Sequence, residues 1–170
     1  AWTRGFARFY PDLVTNLDWM TYLMDTIIDL KLAYWEIALP MVGDYADVVQ
    51  EADDLAGQFG LLINPETYRK IIKPRHKKIM DFIKARTKAK IFFHSCGAIR
   101  DIIPDLIEVG VNVLNPMQTS SRDMGAQQVK DAYGDRLKAV LDAHEEAHYA
   151  ALRAHFIRHL MPFAAPGGAV

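Results

Sequence analysis

The chain has 170 residues, with 20 Lys+Arg against 21 Asp+Glu, a formal net charge of −1, and 51% hydrophobic and 24% charged residues. These are ordinary globular values. They exclude disordered and fibrous classes, and the length suits one domain with a sizeable core. A near-neutral balance argues against general nucleic-acid binding. The single cysteine, Cys96, excludes an internal disulfide framework and fits a reducing, cytoplasmic setting. No apolar run approaches the ~18–20 residues that a membrane span needs. The opening Ala1-Trp2-Thr3-Arg4-Gly5 has no signal-peptide apolar region and no initiator Met; a processed product or a fragment is the expectation.

Trp19, Leu23, Ile27, Leu30, Tyr34 and Ile37 recur three or four residues apart. That spacing predicts an amphipathic helix over 18–37, with this stripe buried, Asn16 near its start, and Pro40 and Gly43 at its end. A short strand is expected over 47–50, followed by the acidic Glu51-Ala52-Asp53-Asp54. Asn64-Pro65-Glu66 starts the next helix with a capping Asn and a Pro at the first helical position. It should run to about residue 86 and kink at Pro74. Residues 66–90 carry ten Lys/Arg against Glu66 and Asp81, a net +8 that leaves −9 elsewhere. The plain reading is a solvated outer helix face; the alternative is attraction of an anionic ligand. Only Tyr68 and Phe82 interleave the charges, which is too few for a nucleic-acid strip.

Residues 91–93 read as a buried strand, with His94-Ser95-Cys96-Gly97 at its C-terminal end. A helix over 99–109 should stop at Gly110. A strand over 111–114 is closed by Asn115-Pro116. A polar loop fills 117–123, a helix spans 126–133 before Gly134, and a strand covers 137–141. Alternating strands and helices imply an α/β fold with a parallel sheet and crossover helices. In such folds the groups at strand C-termini line the ligand site. Asp53, Asp54, His94, Cys96, Asn115, Gln118 and Asp142 all fall there.

Three constellations carry chemistry. In an extended segment His94 and Cys96 point to the same side, so an imidazole and a thiol can converge on one ion. Zinc suits that pair. Two ligands are not a complete site, and a buried Cys beside a backbone-bonded His is the competing reading. Asp53 and Asp54 are candidate acid/base, cation-binding or ligand-binding carboxylates, or simple turn formers. His144-Glu145-Glu146-Ala147-His148 satisfies the H-E-x-x-H pattern. However, Glu146 is charged where zinc proteases carry an uncharged residue, Ala154 stands where a third His would fall, and the segment is rich in Ala and His. A helix over 142–161 without peptidase activity is the expectation.

Asp53-Asp54-Leu55-Ala56-Gly57, Pro65-Glu66-Thr67-Tyr68-Arg69-Lys70, Ile72-Lys73-Pro74-Arg75-His76-Lys77, His94-Ser95-Cys96-Gly97, Ile103-Pro104-Asp105-Leu106-Ile107-Glu108-Val109-Gly110 and Leu114-Asn115-Pro116-Met117-Gln118 together resemble the uroporphyrinogen decarboxylase superfamily. The likeness is close to its cobalamin-dependent methyltransferase-like branch and covers residues 4–138. It implies a TIM-type (β/α)8 barrel, of which residues 1–138 are the C-terminal half. Residues 139–170 form an atypical end that does not match. The His-x-Cys motif of that branch implies zinc on His94 and Cys96, with the third ligand beyond the matched region. Zinc there lowers a thiol's pKa, and the thiolate attacks a corrinoid-bound methyl group. Asp53 or Asp54 becomes a wall or a further ligand, and Asn115 and Gln118 face the ligand. The implied partners are a corrinoid or tetrapyrrole, a corrinoid protein, and a second copy of the chain. The competing activity is metal-free uroporphyrinogen decarboxylation. A non-catalytic half-barrel is the reading from a different class.

Overall fold

The computed structural model describes residues 3–141. The expected strand end at Asp142, the helix over 142–161 and the H-E-x-x-H motif lie outside the described residues.

Two helices open the chain: α1 (Phe6–Thr15) and α2 (Leu17–Val42). Strand β1 (Val48–Ala52) follows, and then a tight antiparallel hairpin of β2 (Ala56–Gly57) and β3 (Gly60–Leu61). A helical crossover begins with α3 (Pro65–Thr67), where Asn64 Oδ1 accepts the Thr67 N–H at 2.7 Å. It widens into a π-helical turn over Tyr68–Ile72 and continues as α4 (Lys73–Lys84). The π turn answers the expected kink: it lies just before Pro74, whose missing N–H leaves a gap in the helical ladder. Next come β4 (Lys90–His94), a 3-10 turn over Arg100–Ile102, and α5 (Ile103–Val109), which ends at Gly110 with φ +107°. Strand β5 (Val113–Met117), α6 (Ala126–Tyr133) and β6 (Lys138–Leu141) complete the described part.

The four longer strands form one parallel sheet in the order β1-β4-β5-β6. Spatial order therefore equals chain order. A doubly wound sheet reverses order at a switch point, whereas a barrel wall does not. Right-handed crossovers that always step in one direction place all their helices on one face, and α4 packs against both α2 and α5. The architecture is an open arc of a (β/α)8 barrel with crossover helices outside, as the sequence predicts.

The pleat sorts side chains by face. Val49, Ile91, Phe93 and Leu114 are buried under the helices with Tyr68, Ile79, Met80, Ile83 and Leu106. The register Ala52↔His94↔Asn115 lies on the opposite face, which is the inner face of the arc.

Two elements differ from expectation. On α2 the predicted stripe is not the buried one. Met20, Ile28 and Leu39 are buried, while Leu30, Tyr34, Ile37 and Met41 are more than 60% exposed. The helix is apolar on several sides, and a polar contact helps set its rotation: Lys31 and Trp35 reach the buried Glu51 of β1 at 2.5 and 2.6 Å. Strand β5 starts two residues late and runs through Pro116, because Val111 belongs to the turn that follows Gly110.

The basic segment is an outer face on which half of the ten basic side chains are paired. Arg69 and Lys73 pair with Asp105, Lys73 also with Glu108, Arg75 with Asp25, Lys77 with Asp81 and Lys78 with Asp29. Among the described residues, no helix is long and apolar enough to cross a membrane.

Candidate metal centre

The C-terminal ends of β1 and β4 bring the chemistry together. The Asp53 N–H donates to the His94 carbonyl at 3.0 Å, continuing the ladder one residue past β1. This places Asp54 over the end of β4. Alternation then sends His94 and Cys96 to one side and Ser95 to the other. Ser95 is fully buried, and its Oγ accepts the Leu55 N–H at 3.2 Å, tying the two loops together.

Asp54, His94 and Cys96 each offer one ligand atom, and these atoms lie within 4.8 Å of one another. Cys96 Sγ is 3.6 Å from His94 Nε2, and Asp54 Oδ1 is 3.8 Å from the same nitrogen. Zinc bonds of about 2.0–2.3 Å in a tetrahedron imply ligand–ligand edges of roughly 3.3–3.8 Å. The donor types of this nitrogen–sulfur–oxygen set suit zinc, and the two edges at His94 Nε2 fall in that range. Cys96 N–H also donates to Asp54 Oδ1 at 3.3 Å, which holds the carboxylate over the pair.

Asn115 completes the arrangement. Its Oδ1 lies 3.0 Å from His94 Nδ1. An amide oxygen only accepts, so Nδ1 is the donor to Asn115, and Nε2 is the nitrogen turned toward Cys96 and Asp54. This is the usual way an outer partner fixes a metal-binding histidine.

Gln118 sits one step outward. Its Oε1 accepts the Gly97 N–H at 2.9 Å, and its Nε2 donates to Gln58 Oε1 at 3.0 Å. Its amide thus braces the loop behind Cys96. The Asp53 carboxylate turns away from this triangle, with Oδ2 3.4 Å from His76 Nε2. Six of the seven strand-end residues picked out in the sequence, all but Asp142, lie among the described residues, and they gather at one mouth.

Sequence reasoning passed over three residues here. Gln58, on the β2–β3 turn, ties the hairpin to the loop after β5 through Gln118 and Ser121. Tyr10 of α1 borders a small cleft with Asp53 and Asp54. Burial, and then the two carboxylates, push its hydroxyl pKa up. His76 lies on α4 behind Asp53. Only Tyr10 and His76 carry a side-chain type that could have drawn notice, and both depend on pairings remote in sequence.

A solved structure, a methyltransferase from Methanosarcina mazei, aligns with a TM-score of 0.49 and 20% identity over 71% of this chain. The chain spans 34% of the length of that protein. No curated protein matches. The family model described as uroporphyrinogen decarboxylase (URO-D) matches residues 2–141, a span that includes every strand of the sheet and every residue of the mouth described above. By that match over most of its length, the chain belongs to the uroporphyrinogen decarboxylase family.

Proposed function

We propose that this chain is a zinc-dependent, methyltransferase-like member of its family, acting in methyl transfer between a corrinoid and a thiol or related acceptor. The observation that carries the reading is the Asp54–His94–Cys96 triangle with Asn115 behind it. A metal-free decarboxylase has no need for a cysteine and a tautomer-fixed imidazole sharing one carboxylate oxygen.

His94 Nε2, Cys96 Sγ and Asp54 Oδ1 would hold the ion, and three protein ligands leave a position for an acceptor. Zinc, when bound, supplies the Lewis acidity that lets a thiol react as thiolate near neutral pH. The chain's own residues set the stage. Asn115 keeps the proton on His94 Nδ1. Asp53 stands as a second carboxylate on the wall, and Gln118 and Gln58 brace the rim. The corrinoid, whether free or carried by a partner protein, would approach from the open inner face.

Metal analysis tests this. The purified chain, grown with zinc, is expected to hold it near-stoichiometrically, and Cys96→Ser should lose most of it. Asn115→Ala frees the imidazole to turn, and its zinc affinity should fall about 10- to 100-fold. Absence of zinc from the wild type, or retention by Cys96→Ser, would sink the metal reading. Conversion of uroporphyrinogen to coproporphyrinogen unaffected by a chelator would establish the decarboxylase instead.

A further inference from the structure

His76 is a polar residue in the outer helix layer, where packing on the sheet is mostly apolar. It is 6% exposed, and its ring meets Phe93 of β4 edge-on at 5.2 Å. An imidazole buried without partners is destabilising, yet both ring nitrogens are engaged. Nδ1 lies 3.2 Å from the hydroxyl of Tyr68, which is fully buried in the π turn. Nε2 lies 3.4 Å from Asp53 Oδ2.

Burial holds the Tyr68 hydroxyl well above its ordinary pKa, with lesser contributions from Asp105 and Asp53. A carboxylate only accepts, so Nε2 is the donor to Asp53 Oδ2, and Nδ1 is left facing the Tyr68 hydroxyl. The result is a continuous line, Tyr68 to His76 to Asp53, running from the core to the residue beside Asp54. Asp53 is thus fixed twice, by its N–H on the His94 carbonyl and by its side chain on α4.

We propose that His76, oriented by Tyr68, is a positioning residue for the metal centre: by holding Asp53 it fixes the Asp53-Asp54 turn so that Asp54 stays on His94 and Cys96. The inference rests on the zinc reading above and adds a residue that makes no contact with the ligand triangle. A cavity of about 250 Å³ beside His76, bounded by α2, α4 and β1, gives replacement side chains room.

The test is zinc affinity by competition with a chelating dye, together with the visible spectrum of the cobalt(II)-loaded chain. His76→Leu is expected to weaken zinc about 10- to 100-fold and to shift the cobalt bands. His76→Gln, which keeps a donor for Asp53, should recover most of that loss. In an Asp53→Ala background, His76→Leu should cause no further loss, because the link is already cut. Asp53 is partly exposed, so this background also keeps the test open if His76→Leu alone folds poorly. Unchanged zinc affinity and cobalt spectrum in His76→Leu, with only melting temperature lowered, would overturn the proposal and leave the zinc reading standing. An additional loss in the Asp53→Ala background would overturn it too. A wild type that binds neither metal would remove both.

Discussion

Gly97→Ala is expected to be the most damaging single-methyl change in the described chain. Gly97 follows Cys96 with φ +88°, a region L-residues enter at a cost of roughly 1–2 kcal/mol. A Cβ there would stand 2.6 Å from the Gly57 carbonyl oxygen and 2.8 Å from the Ala56 carbonyl carbon and oxygen. These are backbone atoms, so no rotamer relieves the contact. The β2–β3 hairpin must move instead, which threatens the Ala98 N–H bond to the Gly57 carbonyl at 2.9 Å. Overpacking adds about 1–3 kcal/mol, so a total near 2–5 kcal/mol is expected. Urea unfolding should show a lower midpoint at constant slope, and zinc affinity should fall with it. A loss below about 1 kcal/mol would show that the hairpin yields freely.

The second large effect is at Asp105. This residue of α5 is 5% exposed and accepts from Arg69 Nε at 3.0–3.1 Å and Lys73 Nζ at 2.8 Å. Asp105→Ala strands Lys73, which is itself only 17% exposed, with Glu108 as its remaining anion. Breaking a buried pair costs about 3–5 kcal/mol; with Arg69 half exposed, about 2–3 kcal/mol is the expectation here. The pH dependence follows. Burial alone would raise the Asp105 carboxyl, but the Arg69 and Lys73 hydrogen bonds and charges outweigh it, and its pKa is lowered. A carboxylate depressed in the folded state contributes its full stability above the unfolded value, about 3.9. That contribution drains away as pH falls from there through the lower folded value. Unfolding midpoints measured from pH 7 down to pH 2 should show wild type and Asp105→Ala converging in acid. A constant gap at all pH values would assign the loss to packing instead.

What could be read in the sequence was local. Asn64-Pro65 announces its helix because cap and proline act within one turn. His94-Ser95-Cys96 announces itself because alternation in a strand needs no other element. Helix α1 was missed: Gly5 gives it no side-chain cap, and Pro11 sits inside it. The hairpin was missed because two-residue strands carry no alternation. The outward stripe of α2 misled because its apolar residues are not confined to one side. Asp54 as the third corner of the triangle depends on the register Ala52↔His94, which joins segments far apart in the chain. No spacing rule reports that.

Strand order carries one more consequence, for the chain as it leaves the ribosome. Each of β4, β5 and β6 pairs with the long strand synthesised before it. A nascent chain therefore finds every docking edge already made. Among the described strands the longest closure is from β1 to β4 across the hairpin and α4, and the next two are shorter. Since loop closure limits the assembly of parallel sheets, the β1–β4 step should be the slowest of these three and β5 and β6 should add more readily. His94 and Cys96 enter with that first step, and Asn115 arrives only with the next. The three groups at the mouth are thus brought together before the strand that carries Asn115 docks.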